Sequence, residues 1–159
     1  MGIDRFIFML PKRYLDRPLW DDVLGKAVEA GELGMSLFSS MHHAIAAVAL
    51  RGTNVIADHV FVERDWVNEC AQLFAGMNAY LVGIQCPLDV LEQRERDRKD
   101  RTLGQARAQY ELIHKYTRYD LEVDTSTSSP EECAQQIIER LQTPPAAFQQ
   151  LRDLAILQD

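Results

Sequence analysis

The chain is poor in cysteine and has none in pairs. Cys70, Cys86 and Cys133 are odd in number and far apart, with no CxxC and no Cys/His cluster. That excludes a disulfide scaffold and the usual zinc frameworks, and it reads as reduced core thiols in the cytoplasm. Positive charge is also short: 17 Lys and Arg stand against 24 Asp and Glu, for a net charge of −7. General binding to nucleic acid or to an anionic membrane is thereby excluded, while a local basic site is not. No apolar run reaches the length of a membrane span. The N-terminus does not read as a signal peptide, because Asp4 and Arg5 interrupt it and Pro11 follows. Repeats and low-complexity blocks are absent. What remains is a 159-residue chain expected to form one domain with a real core.

Its hydrophobic periodicity alternates between two kinds. Phe6–Leu10 fits strand or helix, stopped by Pro11, and a loop with Pro18 and Trp20 follows. Leu33, Leu37, Met41, Ala44, Ile45 and Val48 recur at helical spacing, with Gly52 just past the end. "NVIADHV", Asn54–Val60, reads as a buried strand. Trp66, Val67, Cys70, Leu73 and Phe74 form a second helical stripe, and "AYLVGIQC", Ala79–Cys86, a second buried strand. Leu88–Lys115 is helical and highly charged, with a break near Gly104. "DLEVD", Asp120–Asp124, alternates like a strand. "SPEE" then starts a helix, with Ser129 as cap, Pro130 in the first turn and Glu132 where a capping box wants an acid. Pro144 and Pro145 end that helix, and a last amphipathic one carries Phe148, Leu151 and Leu154 on one side. Strands alternating with helices predict an α/β fold with a parallel sheet. In such sheets ligands bind beyond the carboxyl ends of the strands, where this reading puts Asp58 and Asp124.

Several residues there could carry chemistry. A carboxylate at the tip of a buried strand, such as Asp58, is costly unless it meets a cation or hydrogen-bond donors; it would hold magnesium, cap the next helix, or sit solvated in a loop. In "RERDRKDR", Arg94, Arg98 and Arg101 fall at i, i+4 and i+7 and share one helical face. Guanidinium groups suit phosphate because each donates two parallel hydrogen bonds, but the same face would also serve as a solvated lattice of ion pairs with Glu95, Asp97 and Asp100. Asp4 would be a general base or a helix cap. His42 and His43 read as packing or surface residues, and His114 has no evident partner. A G-x-x-x-x-G-K-[ST] loop, whose backbone N–H groups cradle phosphates, is absent: the Gly25–Lys26 pair is followed by alanine, and no glycine stands five positions before it.

Four separated blocks carry a resemblance. "GIDRFIFMLP", "VIADHVF", "YLVGIQCPLDVLEQRERDRKDR" and "YDLEVDTSTSSPEECAQQI" together resemble the chloramphenicol phosphotransferase family, in its order and spacing, from Gly2 to about Leu141. The resemblance implies a P-loop kinase fold, a three-layer parallel sheet with helices on both faces. It also implies an O-phosphotransferase using ATP and Mg2+ on a hydroxyl of a small molecule such as chloramphenicol. By position it makes Asp4 the base for that hydroxyl and Asp58 the acid near metal and phosphates. Arg98 and Arg101 become the R-x-x-R that closes on ATP, and Thr125 lies in the loop that faces adenine.

The family begins with a strand, a phosphate loop and a helix ahead of the "GID" block, whereas this chain starts at that block. The expectation is a kinase domain over residues 1–143, incomplete at its N-terminus, with residues 144–159 an added amphipathic tail. Its sheet would close the gap by direct pairing, by a strand from another copy in a homo-oligomer, or not at all. ATP binding would be weak. A non-catalytic remnant of the fold, binding a small ligand or a protein through the Phe148, Leu151 and Leu154 stripe, is the competing expectation. An in-frame GxxxxGKS upstream in the gene would instead mark a start codon placed too late.

Overall fold

A computed structural model describes residues 1–2, 5–6, 31–98 and 103–157. They fall into two compact units, Met1–Val60 with Arg98–Leu103, and Phe61–Asp97 with Gly104–Asp159.

In the first unit, α1 (Gly31–Leu50) buries Leu37, Met41 and Ile45 of the predicted stripe, whereas Leu33 is 49% exposed and Ala44 and Val48 are half-buried. Leu37, Phe38, Met41, Ile45 and Ala46 are buried on one face, together with Gly34 and His42. Gly52 ends it in the left-handed region at φ 84°, its N–H bonded to Ala49 O, a conformation that glycine reaches without a Cβ clash. By length and composition α1 could cross a membrane. A count of uninterrupted apolar runs passes over it because Ser39, Ser40, His42 and His43 break the run. Its buried polar side chain, His42, suits a core helix, since that ring is hydrogen-bonded inside the unit.

The predicted strand at Asn54–Val60 does not form. The segment is extended, with a single parallel bridge between Asp58 and Gly2. Asp58 N–H donates to Met1 O at 2.8 Å, and the terminal amine of Met1 donates to Ile56 O. Ile56 is 91% exposed and Asp58 is exposed. Apolar composition alone does not bury a strand. Burial needs a ladder beside it and a layer above it, and among the described residues one bridge is all this segment has.

The second unit holds the sheet. β1 (Val82–Gln85) pairs in parallel with β2 (Leu121–Asp124), in register from Val82 opposite Leu121 to Gln85 opposite Asp124. Parallel neighbours need a crossover, and α3 (Leu88–Arg98) and α4 (Gln105–Tyr110) lie in it. Val123 is 1% exposed, while Ile84 on β1 is 54% exposed, so β1 is less buried than its composition predicts. α2 (Arg64–Phe74) buries Trp66, Val67, Cys70, Ala71 and Phe74. The tail helix α6 (Ala147–Ile156) packs on it with Ala147, Phe148 and Leu151. Phe74 and Phe148 meet edge to face at 5.2 Å. Each such buried aromatic contributes about 1.5–3 kcal/mol to docking the helix. α5 (Pro130–Arg140) packs beside β2 and starts with the expected capping box: Glu132 N–H donates to Ser129 Oγ and Ser129 N–H to Glu132 Oε2.

Asp120 joins these elements. Its carboxylate accepts the N–H groups of Leu81, Ala146 and Ala147 and the Arg140 guanidinium, and its side chain is 1% exposed. One residue thus fixes the approach to β1, the start of β2, the end of α5 and the start of α6. All three cysteines are buried thiols. Burial, and then the charge of Glu69, pushes the Cys70 thiol up, so it stays protonated and unreactive.

Candidate active site

Of the residues predicted to carry chemistry, Asp58, Arg98 and Thr125 are described, whereas Asp4 and Arg101 lie outside the described residues. Asp58 and Arg98 fall in the first unit and Thr125 in the second.

Thr125 follows the last residue of β2. Its N–H donates to Gln85 O at 3.0 Å, and its hydroxyl donates to the same carbonyl at 3.2 Å. From α3, Arg94 Nη1 donates to Thr125 Oγ1 at 3.0 Å and Nη2 to Thr125 O at 2.7 Å. The planar fork of Arg94 therefore grips the loop at two points. The loop is tightened further by Asp124, whose Oδ1 accepts both the N–H and the hydroxyl of Ser126 at 2.8 and 2.6 Å. Those bonds favour the ionised form, so the Asp124 carboxyl is held below the ordinary range.

Arg98, the last residue of α3, is exposed and lies one turn beyond Arg94. The expected lattice of ion pairs along α3 is not what Glu95 makes. Glu95 is buried, and it accepts the N–H of Gly104 at 2.7 Å and of Ala106 at 2.8 Å. Nothing in the sequence marks it, because in a run of mixed charges any acid looks like an ion-pair partner. Its neighbour Asp97 accepts a bond from Gln93 Nε2.

Beside Asp58, His59 meets His42 of α1, Nε2 to Nε2 at 2.7 Å. One imidazole donates and the other accepts, so the pair is compatible with two neutral rings. Burial, then the proximity of His42, lowers His59 to about 3. The bond fastens the Asp58 segment to α1. Of the two roles expected for these histidines, His42 takes the packing one, and exposed His43 bonds Ser39 O. His114 has a partner after all: its Nδ1 lies 2.6 Å from the Tyr119 hydroxyl.

Among the described residues, no group of three or more His, Cys, Asp or Glu could hold a metal ion. Magnesium needs less than that: it retains waters and takes one or two carboxylates, with the phosphates of a nucleotide completing its shell. An exposed Asp58 carboxylate fits that donor set.

Residues 1–142 match the model of the chloramphenicol phosphotransferase-like proteins. Two relatives from Mycobacterium tuberculosis are each 35% identical over 171 residues, covering 96% of this chain and 74% of the relative. They are named "Putative O-phosphotransferase Rv2636" (strain ATCC 25618 / H37Rv) and "Putative O-phosphotransferase MT2714" (strain CDC 1551 / Oshkosh). The chain belongs to the chloramphenicol phosphotransferase-like family.

Proposed function

We propose that this protein is an ATP-dependent O-phosphotransferase acting on a hydroxyl of a small molecule of the chloramphenicol type. The observation that carries the reading is the family match over residues 1–142, to which the grip of Arg94 on Thr125 adds a built loop at the carboxyl end of β2. In a P-loop-kinase-like fold that loop faces the adenine. Asp4 takes the proton of the acceptor hydroxyl, and Asp58 would hold magnesium. Arg98 and Arg101 set their guanidinium groups against the moving phosphoryl group. Magnesium, when bound, supplies charge neutralisation. Phosphoryl transfer is mostly positioning and electrostatic stabilisation, so a base, a metal ligand and two arginines are the parts it needs from the protein.

The second reading is a binding module without transfer activity, whose protein contact would include Leu154 and Ile156, exposed on the tail helix. Mass spectrometry of chloramphenicol and a panel of other hydroxylated compounds, incubated with the protein and Mg-ATP, separates the two. A phosphate ester whose rate of formation falls sharply but measurably with Arg98→Ala supports the transferase. An unmodified panel with folded protein supports the module.

A further inference from the structure

Glu95 is buried, as is the carboxylate of Asp120 in the ion pair described above. A carboxylate out of water is costly unless donors replace the lost hydration. Here they do: Oε2 takes the N–H of Gly104 and Oε1 that of Ala106. Both donors belong to the start of α4, Gly104 as its cap and Ala106 in its first turn. The carboxylate therefore clamps the penultimate turn of one helix to the first turn of the next. Glu92, three residues earlier on the same face, adds a second tie through Arg107 Nε at 2.7 Å, more exposed and so weaker. On the adjoining face Arg94 is held by Thr125. α3 is thus fastened on two sides just before it ends in Arg98.

We propose that Glu95 is a positioning residue for Arg98. The inference rests on the transferase reading, in which Arg98 faces the transferred phosphoryl group. A flexible arginine must be ordered at each turnover, whereas a stem fixed by backbone donors presents the guanidinium already oriented. Glu95→Gln disrupts the clamp chemically with little change in shape. An amide offers one carbonyl oxygen, and its NH2 then confronts a backbone N–H, donor against donor. Glu95→Asp keeps the charge but falls one methylene short.

The test is a double-mutant cycle joined to a measurement that needs no turnover. In the full chain, Glu95→Gln speeds amide exchange at Gly104 and Ala106 by about tenfold or more, leaves Val123 unchanged, and loosens the Arg98 Nε–H as read by nitrogen relaxation. With Mg-ATP and chloramphenicol as probes, Glu95→Gln lowers kcat by about tenfold but costs nothing further when added to Arg98→Ala. Glu95→Asp shifts each readout the same way and replaces the Gln variant if that one fails to fold. Additive losses in kcat, or an Arg98 Nε–H unchanged in a folded Glu95 variant, overturn the proposal. If the unsubstituted protein phosphorylates nothing, the transferase reading fails separately, and the Arg98 relaxation still decides whether Glu95 positions it.

Discussion

Arg94 and Thr125 stand 31 residues apart and meet through two hydrogen bonds, to the hydroxyl at 3.0 Å and to the carbonyl at 2.7 Å. This contact fastens the arginine-bearing helix to the loop at the end of β2. Lysine cannot reproduce it, having one ammonium where arginine has a planar fork. Arg94→Lys is expected to cost about 0.5–1.5 kcal/mol in urea unfolding, modest because the contact is exposed. Under the transferase reading it raises KM for ATP more than it lowers kcat. Steady-state kinetics with varied ATP checks the split.

Asp120 and Arg140 form the heaviest structural contact in the second unit. The carboxylate is 1% exposed and takes three backbone N–H groups besides the guanidinium. Removing one partner of such a buried pair leaves the other uncompensated, at a cost of about 3–5 kcal/mol. Asp120→Ala is expected to lose that amount, a large share of the stability of an ordinary domain. Thermal or urea unfolding of the variant gives the number.

Gly83 of β1 lies under the Tyr119 ring, and a Cβ built there would come within 2.8 Å of it. Gly83→Ala is expected to destabilise by about 1–3 kcal/mol through overpacking. The penalty should shrink when Tyr119→Ala removes the ring, a non-additivity that four unfolding curves would reveal.

How much of this was legible in the sequence depends on how local the cause was. The Ser129–Glu132 capping box lies within four residues, and it is found as the sequence predicts. α1 follows from spacing along one stripe, and the break at Gly104 from the glycine itself, which holds φ 93°. Asn54–Val60 misled because a strand is made by its neighbours, and among the described residues its pairing is a single bridge to Gly2. Asp120 read as a strand's first residue, because its partners come from Leu81, Arg140, Ala146 and Ala147, far along the chain. Glu95 was hidden among alternating charges. The His42–His59 contact, 17 residues apart, was invisible for the same reason.

The pH dependence of the α3–α4 junction follows from Glu95. Hydrogen bonds from Ala106 and then Gly104 hold its carboxyl below the ordinary range. A folded pKa below the unfolded one means stability that is fully present above the unfolded value, about 4.3, and is lost as pH falls through the folded value. Carbon NMR of the Glu95 carboxyl is expected to show a low titration midpoint. The protection of the Gly104 amide, measured against the unstructured exchange rate at each pH, should fall over the same acid range and stay flat in Glu95→Gln.

The most direct test of the account is phosphate transfer from radiolabelled ATP, with magnesium, to a panel of hydroxylated small molecules that includes chloramphenicol. The account predicts label in at least one acceptor, abolished by Asp4→Ala and reduced at least about a hundredfold by Asp58→Ala. Contradiction would be a folded, soluble protein that labels nothing, or labelling that survives both substitutions.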